Sequence, residues 1–216
     1  MKIFVAVPIN RPIEFLSFEC FVRLANFRGK HEYHFGFTQN SLVYDARESL
    51  VESFLKTDCE ALMFIDSDMT FDWRSAEILE SHNLPIVSAR AFKRVPPYEP
   101  CFYTKFEMRD GQPYLESPIG YEQGLLPVDG FGMACCLIRR EVFEKVKPPY
   151  FFPQPMIGED LSFCLRLKEA GIPLYVDTTL QFGHLAQIPI FEEHFHKAWL
   201  EQQKKSENSM NGGIEK

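Results

Sequence analysis

The sequence predicts an α/β protein with a mostly parallel central sheet and a small antiparallel lobe. The stretch Ala61–Ile65 is five apolar residues in a row, which is typical of a strand buried on both faces, as in a parallel sheet. Segments with the pattern of strands alternate with helical segments along the first half of the chain. The 216 residues are 45% hydrophobic, which is enough apolar material for one sizeable core.

The first 90 residues predict four strands separated by three helices. The strands are short apolar or alternating runs: Ile3–Val7, His31–Thr38, Ala61–Ile65 and Pro85–Ala89. Two of the helices, Ile13–Phe27 and Leu42–Lys56, carry apolar residues at helical spacing. The segment Phe71-Asp72-Trp73 leads into the third, which runs through about Ser81. Because a strand, a helix and a second strand form the βαβ unit, this order indicates a doubly wound sheet.

The second half of the chain has a different composition. Residues 101–128 predict short antiparallel strands, with turns at Asp110-Gly111 and Ser117-Pro118. The further predicted strands are Met133–Ile138 and Leu174–Val176. The further predicted helices are Arg139–Val146, a helix that starts at Glu159 and ends at Gly171, and Ile188–Gln203. We expect one domain over residues 1–203 and a disordered polar tail over residues 204–216.

The charge and the cysteines narrow the classes of function. The net charge of −7 argues against a general binder of polyanions. The six cysteines show no CxxC spacing, so reduced thiols in a cytoplasmic protein are favoured over disulfides or zinc. We expect no transmembrane segment, because no apolar run approaches that length. The apolar N-terminus is interrupted too soon to predict a signal peptide.

Two carboxylates directly follow the buried strand Ala61–Ile65. Asp66 and Asp68 are two positions apart, so an extended backbone points both side chains to one side and Ser67 to the other. In open α/β sheets, ligands bind beyond the carboxyl ends of strands. Two neighbouring anions repel each other unless a cation joins them, and a hard divalent cation carrying a phosphate is the natural one. The alternative is an acidic turn.

Other residues at predicted strand ends and helix starts are also candidates. The loop Pro8-Ile9-Asn10 follows the first strand and is either a nucleotide pocket or a plain turn. Glu159 and Asp160 open a helix, where they bind a ligand or simply cap it. His184 follows a strand and a glycine, and a neutral imidazole is a good ligand for Mn²⁺. It is either that ligand or a structural histidine.

Together these pieces resemble the metal-dependent glycosyltransferases of the GT-A fold, especially the family-2-like group with DxD and ED motifs. They occur in that group's order and span most of residues 1–190. The matching pieces are Ile3–Asn10, Tyr44-Asp-Ala-Arg47, Phe64-Ile-Asp-Ser-Asp68, Asp129-Gly-Phe-Gly-Met133, Gly158-Glu-Asp160 and Gly183-His184.

The resemblance implies a Rossmann-like GT-A fold that transfers a sugar from a nucleotide-diphosphate sugar, with a UDP-sugar favoured, to an acceptor hydroxyl. Residues 1–90 would bind the nucleotide sugar and residues 91–203 the acceptor. The acceptor would be a glycan or another hydroxyl-bearing molecule, while a nucleic-acid acceptor is possible but not favoured. The cofactor would be Mn²⁺ or Mg²⁺.

The resemblance also implies roles for individual residues. Asp66, Asp68 and His184 would hold the metal, and Asp160, beside Glu159, would be the catalytic base. The donor would be bound by Pro8, Ile9, Asn10, Arg47, Asp66 and Ser67.

Three other classes compete with this interpretation. Ile65–Thr70 also fits the DxDxT opening of haloacid-dehalogenase phosphohydrolases, with Asp66 as nucleophile and Ser88 in the second motif. Against this class, two predicted strands precede the motif, which usually lies on the first strand. The interpretation as a nucleotidyltransferase is not supported, because the Gly-rich, Lys-containing N-terminal signature of that class is absent from the sequence. A sugar-binding module without activity would not need both a metal site and a base.

Overall fold

A computed structural model describes residues 1–40 and 42–186. The chain divides into two units, Met1–Leu185 and Ala186–Lys216, and nearly all of the described residues belong to the first. The predicted helix Ile188–Gln203, the polar tail and the predicted domain boundary at residue 203 lie outside the described residues.

Eighteen helices and strands are found in the described part of the chain. The strands are β1 Lys2–Ile9, β2 Glu32–Gln39, β3 Ala61–Ile65, β4 Met69–Thr70, β5 Ile86–Arg90, β6 Phe102–Tyr103, β7 Lys105–Arg109, β8 Gln112–Glu116, β9 Leu125–Val128, β10 Gly130–Phe131, β11 Cys135–Arg139, β12 Leu174–Gln181 and β13 Gly183–His184. The helices are α1 Phe15–Asn26, α2 Val43–Leu55, α3 Ser75–Ser81, α4 Arg140–Lys145 and α5 Glu159–Glu169.

The central sheet has seven strands in the order β2-β1-β3-β11-β5-β12-β9. Three neighbouring pairs are parallel, namely β1 with β2, β1 with β3, and β5 with β12. The other three are antiparallel, because β11 runs against both of its neighbours and β9 runs against β12. In the described residues the sheet is therefore mixed.

The predicted fold class, a Rossmann-like GT-A fold with a mostly parallel sheet and one small antiparallel lobe, is wrong. The sheet is not mostly parallel, because three of its six neighbouring strand pairs are antiparallel. In place of one lobe, the described residues form three separate two-stranded antiparallel sheets: β10 with β6, β13 with β4, and β7 with β8. The β7–β8 hairpin turns at Asp110 and Gly111, which have φ values of 49° and 75° and match the predicted turn. The fold is a mixed α/β architecture.

Helices cover both faces of the central sheet. Alternate residues of β1 point to opposite faces, since side chains of a strand alternate. Ile3, Val5 and Val7 pack in one cluster with α1 and α3. Phe4 and Ala6 pack in the other with α2, α4 and α5. Both faces are buried, which explains the unbroken apolar run of β3.

The strand order places a crevice at one edge of the sheet. The chain runs from β1 to β2 on one side and then returns to β3 on the other side of β1. Such a reversal separates the loops that follow the two strands and leaves a ligand-binding crevice at their carboxyl ends. The antiparallel strand β11 begins at this same edge, because Cys135 pairs with Ile65 at the end of β3.

None of the helices in the described residues combines the length and the hydropathy needed to cross a bilayer.

Candidate functional site

A cavity of about 300 Å³ lies at the crevice beyond β1 and β3. All ten residues singled out from the sequence line it: Pro8, Ile9, Asn10, Arg47, Asp66, Ser67, Asp68, Glu159, Asp160 and His184. The volume is at the lower end of the range found for small-molecule sites. The structure therefore brings the predicted residues together from five separate segments of the chain.

The buried side chain of Arg47 ties these segments to one another. Its Nη2 donates to both carboxylate oxygens of Asp66, at 2.9 and 3.2 Å. Its Nε donates to Glu159 Oε1 at 3.3 Å, and its Nη1 donates to the Met133 carbonyl at 3.3 Å. The guanidinium also lies over the Phe64 ring, with Cζ 5.1 Å from the ring centroid. One residue of α2 thus holds the end of β3, the approach to β11 and the start of α5.

The two aspartates after β3 have different environments. Burial raises the pKa of Asp66, and the nearby Arg47 only partly offsets this effect. For Asp68, burial acts in the same direction, but hydrogen bonds and charges from His184, Arg11 and Arg94 lower the pKa to about 2. Asp68 is therefore ionised across the physiological pH range, and of the two aspartates it has the lower pKa.

Three cationic or basic groups converge on a single oxygen of Asp68. Arg11 Nη2 lies 2.6 Å from Oδ2 and Arg94 Nη1 lies 2.8 Å from the same atom. His184 Nε2 is 3.4 Å from it. Oδ2 is thus at the centre of the positive charge in the cavity.

The His184 ring is fixed in a suitable orientation for a metal ligand. Its Nδ1 is 2.9 Å from the Phe92 carbonyl, so Nδ1 carries the proton and donates. Nε2 is then directed at Asp68. A backbone carbonyl that holds one ring nitrogen in this way is the usual support of a metal-bound histidine. Burial lowers the pKa of His184, but the Asp68 carboxylate outweighs burial and raises it overall.

These contacts fit a divalent cation held by Asp68 and His184 and completed by ligand oxygens. Mg²⁺ in particular binds through one or two carboxylates together with substrate phosphates and water. The described residues contain no cluster of three or more His, Cys, Asp or Glu side chains arranged to hold a metal ion. Asp66 is turned to Arg47, so its assignment as a third metal ligand stays a prediction.

The acids at the start of α5 are also in different positions. Glu159 Oε1 accepts from Arg47, as described above. Asp160 Oδ1 accepts the backbone N–H of Leu161 at 2.7 Å. Its Oδ2 has no hydrogen-bond partner in the described part of the chain and lies beside Gly132, where a Cβ would stand 3.4 Å from it. Burial, together with the charge of Glu159, raises the pKa of Asp160 to about 6. Neither acid caps the helix, since Gly158 is the N-cap and no side chain bonds there.

Arg11 and Arg94 are not among the site residues that the sequence analysis singled out. Arg11 is the second residue after β1, and Arg94 lies in the loop that follows β5. Both strands end at the edge that carries the cavity. An arginine within a few residues of the carboxyl end of such a strand is the sequence signal that could have identified both.

No family model matches the chain, and no curated protein matches it. Among solved structures, the chain is similar to the protein titled A197 from STIV. The two share 22% sequence identity with a TM-score of 0.60, and the similarity covers 86% of each chain. At this identity the likeness shows the fold alone.

Removing the Arg47 guanidinium tests whether it holds the site together. Arg47→Met leaves two largely buried carboxylates without a partner, so we expect the free energy of unfolding to fall by about 3–5 kcal/mol in urea denaturation. Arg47→Lys keeps the positive charge but loses the planar guanidinium fork, so its free energy of unfolding should lie between those of the wild type and Arg47→Met. The control Arg74→Gln, which breaks an exposed pair with Asp72, should leave the unfolding midpoint unchanged. Wild-type stability in Arg47→Met would show that the pairing is dispensable.

Proposed function

We propose that the protein is a metal-dependent glycosyltransferase that moves a sugar from a nucleotide-diphosphate sugar to an acceptor hydroxyl. One observation carries this proposal. A single cavity combines an oriented Asp68–His184 pair with a second carboxylate, that of Asp160, which keeps one oxygen free and has a raised pKa. The first pair suits a cation and a diphosphate, and the other carboxylate suits a proton acceptor.

The donor would lie along the crevice beyond β1 and β3. Pro8, Ile9 and Asn10 line one end of the cavity with Asn40, and there the nucleotide would bind. Asp68 and His184 would hold Mn²⁺ or Mg²⁺, which when bound stabilises the charge of the departing diphosphate as a Lewis acid. The sugar would then lie between the cation-holding pair and Asp160. A UDP-sugar remains the favoured donor on the motif resemblance.

Asp160 would act as the general base. The acceptor hydroxyl must lose its proton as it attacks the anomeric carbon, and a carboxylate with a pKa of about 6 is ionised yet basic enough to accept the proton at neutral pH. Gly132 leaves space beside its free oxygen. Glu159 would support Asp160 indirectly, because its own carboxylate is engaged by Arg47.

The acceptor would be a glycan or another hydroxyl-bearing molecule, and a cytoplasmic location is part of the proposal. Support for this location comes from the thiols: all six cysteines are free, and Cys59, Cys135, Cys136 and Cys164 are buried. Thiols in this state are typical of a reducing compartment.

The phosphohydrolase alternative has less support. It needs Asp66 as a free nucleophile, but both oxygens of Asp66 accept from Arg47. It also needs Ser88 at the phosphate. Ser88 is buried and donates to the Cys135 carbonyl at 2.8 Å, away from the residues that line the cavity.

Asp160→Asn should remove transfer and spare donor binding. Loss of a general base slows such steps by about 10²–10⁴-fold, whereas the donor contacts are made elsewhere in the cavity. The wild-type rate should rise with pH through about 6 and then level, because a base with a raised pKa is protonated and inactive below that value. The residual rate of Asp160→Asn should not show this rise with pH. Asp110→Asn, in the β7–β8 turn, is the matched control. Full transfer activity in Asp160→Asn would exclude this role.

His184→Ala should weaken the binding of Mn²⁺ in a calorimetric titration. Since loss of an outer partner of a metal ligand alone costs about 10–100-fold, loss of a ligand should cost at least tenfold. His34→Ala removes an exposed imidazole of β2 and should not change the titration. Equal affinities for all three proteins would make His184 a structural residue.

A further inference from the structure

Two arginines share one carboxylate oxygen at the cavity. Arg11 Nη2 and Arg94 Nη1 both donate to Asp68 Oδ2, at 2.6 and 2.8 Å. Two positive charges that meet on one oxygen repel each other, so each weakens the hold of the other. Oδ2 is also the oxygen that faces His184 Nε2. A cation that binds between Asp68 and His184 must therefore compete with both guanidiniums.

The side chains of the two arginines are partly exposed, unlike that of Arg47. Their side chains are 37% and 41% exposed, whereas that of Arg47 is 4% exposed. Asp68 is the partner of both in the described part of the chain. Arg94 belongs to a loop that is tied at its base, where the Cys101 N–H donates to the Ala91 carbonyl at 2.9 Å. Further backbone hydrogen bonds tie Lys93 to Glu99 and Tyr98 to Val95, so the loop is anchored on both sides of Arg94, whose side chain bonds Asp68 through Nη1 at its tip.

The charges in the cavity show what these arginines can bind once they leave Asp68. Arg47 is committed to Asp66 and Glu159 and has little freedom to turn to a ligand. Arg11 and Arg94 are the remaining arginines on this site. A diphosphate offers several anionic oxygens, and the planar guanidinium fork matches phosphate geometry better than it matches one shared carboxylate oxygen.

We infer that Arg11 and Arg94 form a clamp that exchanges partners: it neutralises Asp68 in the free protein and grips the diphosphate of the ligand when a cation takes its place on Asp68. The exchange couples the two ligands. The cation displaces the arginines, and the diphosphate gives them a new partner. This inference rests on the proposed function for the identity of the ligand, but it concerns binding and needs no sugar transfer.

The clamp predicts opposite effects of one substitution on two ligands. In Arg11→Gln and Arg94→Gln, Mn²⁺ alone should bind about three- to tenfold more tightly, because a competing positive charge beside Asp68 is gone. UDP titrated at an Mn²⁺ concentration that saturates each variant should bind about tenfold more weakly, because a charge-assisted contact to phosphate is lost. The double variant should show both shifts to a greater extent.

Isothermal titration calorimetry of wild-type and variant protein measures both affinities. Arg28→Gln is the matched control, since it removes an equal charge from an exposed position and should change neither affinity. Arg11→Lys and Arg94→Lys keep the charge without the fork, so they should retain part of the UDP affinity. Thermal unfolding confirms that each variant is folded before titration.

Three results would overturn the clamp. They are an Mn²⁺ affinity that is unchanged or weaker in both single variants, a UDP affinity at saturating Mn²⁺ that is unchanged in the double variant, and a wild-type protein that binds UDP no more tightly with Mn²⁺ than with EDTA. Failure of the proposed function has a different signature. If the opposite shifts occur but no nucleotide sugar supports transfer, the clamp stands and the assignment as a glycosyltransferase falls.

Discussion

The site depends on one buried guanidinium. Arg47 comes from α2, and its three bonded nitrogens hold the end of β3, the segment before β11 and the start of α5. A buried arginine is stable only with paired anions, and here the pairing fixes Asp66 and Glu159 at the price of their freedom. Each of these acids is followed by a second one, Asp68 two positions after Asp66 and Asp160 directly after Glu159. Arg47 does not bond these second acids, and they remain available to a ligand in the cavity. The division between supporting and ligand-facing acids follows from this contact.

Much of the fold follows from local sequence, but the directions of the strands do not. The apolar run of β3 and the helical spacing of α2 are local properties, and both elements lie within one residue of the predicted bounds. The two-residue strands β4 and β10 carry too little pattern to be recognised. The direction of β11 depends on its pairing with β3 and β5, which are distant in sequence, so the prediction of a mostly parallel sheet failed.

The same distinction applies to the site. Asp66 and Asp68 were predictable because two acids after a buried strand are a local pattern at a place where ligands bind. The groups that neutralise these two acids were not predictable from local sequence. Arg11 lies 57 positions before Asp68, and Arg94 lies 26 positions after it, and only the fold brings them to the same oxygen. The partition of Glu159 and Asp160 into a supporting and a free acid likewise depends on Arg47, 112 positions before Glu159.

The most direct test of the central claim is a crystal structure grown with UDP and Mn²⁺, with the anomalous signal of manganese used to locate the ion. The account predicts one strong peak in the cavity, about 2.0–2.3 Å from a carboxylate oxygen of Asp68 and from His184 Nε2, with diphosphate oxygens completing its coordination. A nucleotide bound elsewhere, or a cavity that holds the nucleotide without a manganese peak beside Asp68, would contradict it.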